Sequence, residues 1–192
     1  MPTSDKRQVI LKALEKILKD RRLDEVTVAH VAETASVGKG TVYRYFEDKE
    51  DLFFQMIQEF LKEEVDDVAI AAASSMPPRE KLIRVGETIS EHIQFHGQFI
   101  RMMHTQHRSK TQRYDPHDMM SDHHKRLERI LSQVLHAVED AGLLRSQLDY
   151  NAVLCIYKGM IMERSMRLVH MDTDVPMEQL VDLILGGIGR TD

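Results

Sequence analysis

The stretch from Thr27 to Lys49, TVAHVAETASVGKGTVYRYFEDK, constrains this chain more than any other part of it. It reads as helix, tight turn, helix. Thr27 carries the hydroxyl of a good N-cap, which accepts a hydrogen bond from an orphan amide of the first turn. Val28, Val31, Ala32 and Ala35 follow at helical spacing and give a short first helix one apolar face. Ser36-Val37-Gly38 interrupts the pattern, with Val37 as an apolar plug between the two arms. Lys39 to Phe46 is the second helix. Val42 and Phe46, four apart, turn inward. Lys39, Thr41, Tyr43, Arg44 and Tyr45 are left on the open sides. Cations, a hydroxyl and phenols packed onto so short a helix suit phosphate oxygens and base edges in a DNA major groove. Spacing alone does not separate this from an ordinary helical corner with a solvated, charged face.

The residues themselves go further than the spacing. The run VGKGTVYRYFEDKEDLF closely resembles the N-terminal signature of the tetracycline-repressor (TetR) family of bacterial regulators. The resemblance passes through Ala32 and Ala35, Val37, Lys39-Gly40-Thr41-Val42-Tyr43, Tyr45-Phe46, Lys49-Glu50 and Leu52, and covers Val9 to Phe54. Three positions depart from the family pattern. Ser36 replaces a turn glycine, and a left-handed backbone there costs serine what it does not cost glycine. Gly38 stands where serine usually caps the second helix, which removes a hydroxyl that often touches phosphate. Arg22 replaces a glycine after the first helix.

The resemblance implies a DNA-contacting set of Thr27, Lys39, Gly40, Thr41, Tyr43, Arg44, Tyr45 and Lys49. Lys39, Tyr43 and Arg44 are expected in the major groove or at its lip, and Thr27, Tyr45 and Lys49 on phosphate. The implied protein is a homodimeric regulator, most often a repressor in this family. Its partners are a palindromic double-stranded DNA operator and a small-molecule effector that releases it. No cofactor is implied.

Composition fits this reading. Hydrophobic residues make up 42% of 192, enough for a sizeable core, and Gly and Pro are few. Helix formers dominate and period-two β-branched runs are absent, so the fold class is all-α. Net charge is −5, which excludes an all-over nucleic-acid coat. Residues 1–49 nevertheless carry ten Lys and Arg against eight Asp and Glu, and the remainder sixteen against twenty-three. A slightly basic head on an acidic body fits contact with DNA at one end. The single cysteine, Cys155, precludes an intramolecular disulfide, fits a reducing cytoplasm and is expected in the core. The polar N-terminus argues against a leader, and no window of about 18 apolar residues crosses a membrane.

The expected organisation is a helix-turn-helix head over 1–49 and a ligand-binding and dimerisation body over 50–192, with about nine helices in all. The first helix, residues 4–20, presents Val9, Ile10, Ala13, Leu14, Ile17 and Leu18 as the floor of the head. A long helix starts at Asp48 and runs to about Ala73 before Ser74-Ser75-Met76-Pro77-Pro78 breaks it. Gly97 is expected to bend the next helix, with a separate short one from Phe99. Arg108 to Tyr114 reads as a loop. Pro116 suits the first turn of a helix that Gly142 stops. Asp149 caps the next, and the last follows Val175-Pro176.

Chemistry in the body is less sharply written. His92 and His96 share a helical face and could hold a metal together, with His104, His107, His117, His123 and His124 nearby in sequence. This leaves a metal-responsive regulator as an alternative. A metal-dependent hydrolase is the remote one, since neither H-E-x-x-H, a nucleophile elbow nor a phosphate-binding glycine loop is present. The methionines point instead to an apolar pocket with histidine as its polar points. Its expected lining is His92, Phe95, His96, Phe99, Met103, Met120 and Tyr157. Val153, Ile156, Met160 and Leu168 form one stripe near the C-terminus, and Leu180, Leu183, Ile184 and Gly187 another. These stripes could be buried within one chain; the family resemblance implies instead that two such helices from each of two chains make a four-helix interface about a two-fold axis.

Overall fold

A computed structural model describes residues 3–106, 115–144, 149–171 and 173–186. Among the described residues there are eight α-helices and no strand: α1 (Thr3–Leu18), α2 (Val28–Thr34), α3 (Lys39–Tyr45), α4 (Lys49–Ala73), α5 (Pro78–Gln106), α6 (Pro116–Asp140), α7 (Tyr150–His170) and α8 (Met177–Gly186). A 3-10 turn, Leu23–Glu25, joins α1 to α2. The chain divides into two compact units, Met1–Phe60 and Leu61–Asp192.

The first unit is a head of α1 to α3 closed by the front half of α4. Ile10, Leu11, Ala13, Leu14 and Leu18 of α1 are buried with Val31, Ala32, Val42 and Phe46, as are Leu52, Phe53, Met56 and Ile57 of α4. Each Val, Leu, Ile, Met or Phe among them contributes about 1.5–3 kcal/mol on burial. Val9, expected in the stripe, is instead exposed. Arg7 ties α1 to α4, donating to Gln55 Oε1 at 2.9 Å and pairing with Glu59 at 2.6 Å. The start of α4 is fixed by two carboxylates. Asp48 Oδ1 accepts from the Asp51 amide at 2.7 Å, and Asp51 Oδ2 accepts from the Glu47 amide at 2.8 Å.

The turn after α2 carries the departure noted in the sequence. Val37 N–H bonds back to Ala32 O at 2.9 Å and Ser36 N–H to Glu33 O at 3.0 Å, the paired bonds of a Schellman end. Ser36 sits at the left-handed position with φ 53°. The same bonds close α6 around Gly142, φ 70°, where glycine adopts that conformation without strain. Ser36→Gly is therefore expected to raise the unfolding free energy of the head by about 0.5–1 kcal/mol. Urea titration of the full chain checks it, and an unchanged or lowered midpoint contradicts it.

The second unit packs α5 to α8 with the end of α4. Val68 and Ala71, Leu82, Val85 and Ile89, Leu131 to Val138, Val153 to Ile161, and Met177, Val181 and Ile184 share one core. A Cβ on Gly86 would lie 2.8 Å from Met177 Sδ and 2.9 Å from Tyr157 Oη, so α5 passes close to α7 and α8 there, and a larger residue would have to displace the ends of those side chains. The expected bend at Gly97 is corrected: α5 runs through it unbroken to Gln106. One buried glycine costs a helix only about 0.5–1 kcal/mol, less than the packing on either side returns. The caps follow the sequence. Asp115 accepts from His117 N–H ahead of Pro116, and Asp149 accepts from Ala152 N–H. The stretch expected as a loop, Arg108 to Tyr114, lies outside the described residues.

Candidate functional site

Within the head, α2 and α3 form the helix-turn-helix. Thr27 caps α2, its hydroxyl accepting from His30 N–H at 3.2 Å. Gly38 caps α3 through its extended backbone and makes no side-chain bond. Val42 and Phe46 are buried, which turns the rest of α3 outward. Lys39, Gly40, Tyr43 and Arg44 are exposed, Tyr43 by 56%, and Thr41 is half-buried. Around Gly40 a built Cβ would meet nothing within 4 Å, so the helix backbone is bare on that side. The Arg44 guanidinium lies over the Tyr45 ring, 5.5 Å from its centre, which holds a long side chain near the surface it presents.

Two members of the expected set are placed differently from the rest. The Tyr45 hydroxyl is buried and finds no hydrogen-bond partner among the described residues. Lys49 is half-buried, and its ammonium donates to Leu23 O at 2.9 Å. That bond pins the α1–α2 connection to the first residue of α4. It gives Lys49 a structural task that sequence spacing alone does not reveal. Lys49→Ala is accordingly expected to lower the stability of the head by about 1 kcal/mol. A thermal melt of the variant checks this, and a melt superimposable on wild type would remove the assignment.

The body residues singled out in the sequence separate into groups. His92 is half-buried, with Nε2 2.9 Å from Asp67 Oδ2, and its ring lies 5.7 Å from that of His96. Phe99 and Tyr157 are fully buried. The Tyr157 hydroxyl donates to Leu82 O, and burial pushes its pKa far above the usual phenol value. Phe95, expected beside them, is 69% exposed. Met120 is half-buried, and the Met103 side chain lies outside the described residues. Tyr157 thus sits in the core with its hydroxyl satisfied by backbone. Of the other histidines, His123 is buried against Glu64 at 3.0 Å, which links α6 to α4. The side chain of His104, and His107, lie outside the described residues. Among the described residues no three His, Cys, Asp or Glu side chains gather as metal ligands.

The two C-terminal stripes also split. Val153 and Ile184 are buried in the core of their own chain. Met160, Leu168 and Leu180 are half-buried, while Ile156 and Leu183 are exposed, as are Met162 and Val169. Cys155 is exposed, contrary to the core position expected for it, because it neighbours Ile156 on the outer side of α7. Gly187 lies outside the described residues. Sequence reasoning missed a buried polar group, Ser90, Ser165 and Arg164, whose spacing carries no signal.

Residues 10–56 match the bacterial regulatory proteins of the tetR family. The tetR-family match thus lies in the helix-turn-helix head. The chain is 35% identical over 80 residues to the HTH-type transcriptional regulator YhgD of Bacillus subtilis (strain 168), a match spanning 42% of this chain and 42% of that protein. The chain thus matches under half the length of that relative. Its fold is shared more widely. The fatty acid degradation regulator FadR from Bacillus halodurans is 21% identical with a TM-score of 0.68, over 95% of this chain and 99% of that one. FadR from Bacillus subtilis, solved in complex with stearoyl-CoA, is 19% identical with a TM-score of 0.69 over 95% and 99%. No described helix is long and apolar enough to cross a membrane.

Proposed function

We propose that this protein is a DNA-binding transcriptional regulator, acting in the cytoplasm as a homodimeric repressor that a small, largely apolar effector releases from a palindromic operator. The observation that carries the reading is the outward face of α3. Lys39, Tyr43 and Arg44 are exposed around a bare backbone at Gly40, on a helix fixed from behind by Val42 and Phe46. Cations and a phenol on a rigid helix read base edges, and the bare backbone admits a phosphate strand closely. Exposed Ile156 and Leu183 support a second copy as partner. FadR of Bacillus subtilis shares the fold and is in complex with stearoyl-CoA, which supports an apolar effector. An effector acts only through its difference in affinity between DNA-bound and free forms.

Selection of bound duplexes from a random DNA pool tests the reading. Enrichment of an inverted repeat, with half-sites about one turn or roughly 34–36 Å apart, is expected. A pool that enriches nothing contradicts it.

A further inference from the structure

We infer that the second unit carries a binding site for a small apolar monocarboxylate in a cleft bordered by α4, α5 and α6, apart from the residues considered above. The cleft has a volume of about 170 Å³. Ala69, Ala72 and Ala73 line it from the last turns of α4. Ile130, Val134 and Ala137 line it from α6, one helical stripe at spacings of four, three and seven. The polar lining is Lys81 of α5 and Gln133 of α6.

The hollow exists because small side chains stand where a leucine would close it. An enclosed apolar cavity of about 150 Å³ in another protein holds benzene, so this more open cleft is large enough to seat a single ring. Charge complementarity sets its headgroup. Lys81 is half-buried and makes no ion pair among the described residues, although Asp and Glu outnumber Lys and Arg across this chain. A lysine and a glutamine among alanine, isoleucine and valine in the lining bring a cation and amide N–H donors to one cleft, which matches a carboxylate on a ring or short chain. A phosphate ester would leave the alanine walls unused, and a neutral hydrocarbon would leave the lysine unused. The site is independent of the regulatory reading.

Benzoate is the probe, titrated by calorimetry into the full chain without DNA. A Kd on the order of 1 mM is expected for so small a ligand. Benzyl alcohol, of the same shape without charge, is expected to bind at least about fivefold more weakly. Ala72→Leu, which fills the hollow, and Lys81→Met, which keeps the apolar stem, are each expected to weaken benzoate at least about fivefold with circular dichroism unchanged. Should one variant fail to fold, the other decides. No heat from benzoate at about 20 mM overturns the inference, as does benzoate binding that both folded variants retain.

Discussion

Leu183→Asp is expected to yield a folded chain that sediments as a monomer and no longer holds a two-half-site operator. The reason lies in how α7 and α8 spend their apolar residues. Each helix fills the core of its own chain, through Val153, Leu154, Tyr157 and Ile161 on α7 and Met177, Val181 and Ile184 on α8. Each also carries apolar residues that its own chain leaves open, with Ile156 54% and Leu183 44% exposed. A second copy covering these by two-fold symmetry meets every substitution twice. An unpaired carboxylate in such an interface costs about 3–5 kcal/mol per site, so two shift the equilibrium by about 6 kcal/mol or more, roughly 10⁴-fold. Because Leu183 is half open in the single chain, helicity is retained. Ile184→Asp behaves differently: Ile184 is 8% exposed within its own core, and that variant unfolds. Sedimentation velocity at micromolar concentration with parallel circular dichroism checks both. Wild-type protein sedimenting as a monomer contradicts the dimer.

Arg164→Leu is expected to lower the unfolding free energy by about 2–4 kcal/mol, since charged hydrogen bonds contribute about 1.5–3 kcal/mol each and leave buried partners unsatisfied when lost. Its guanidinium donates through Nε to Val175 O at 2.7 Å and through Nη1 to Ser90 Oγ at 2.9 Å, and Nη2 pairs with Asp174 at 3.0 Å. Beyond it the proton directions are fixed in turn. Ser90 Oγ also accepts from Gln94 at 3.2 Å, so its own hydrogen goes to Ser165 Oγ at 2.8 Å. Ser165 then donates to Ile161 O at 2.7 Å. Removing the arginine leaves Ser90 short of a donor and Val175 short of a partner, and releases the segment that leads into α8. Urea denaturation is expected to show a lower midpoint with the slope unchanged. A midpoint within error of wild type would show the network to be dispensable.

The head was legible because its local signals agree with its packing. Thr27 caps, Val42 and Phe46 turn inward, and Ser36 takes the left-handed position that the family pattern gives to glycine. In the body the same methods stop at periodicity. A stripe on α7 or α8 has the same spacing whether it meets its own core or another chain, so Val153 and Ile156 looked alike and are not. Gly97 looked like a break because propensity was weighed without the burial around it. Long-range partners were invisible for a simpler reason: Lys49 meets Leu23, His123 meets Glu64 and Arg164 meets Ser90 only after folding. Histidines read as pocket or metal points became partners of carboxylates on α4, at Asp67 for His92 and Glu64 for His123.

The most direct test of the central claim is the affinity of wild type and Arg44→Ala for a selected duplex, measured by fluorescence anisotropy at several salt concentrations. Arg44 is exposed on α3 and held against the Tyr45 ring, so truncating it leaves the head folded. The account predicts a loss of about 1–3 kcal/mol, roughly 5–150-fold, with preference relaxed at one base pair of each half-site. Full affinity and full selectivity in Arg44→Ala would contradict the account.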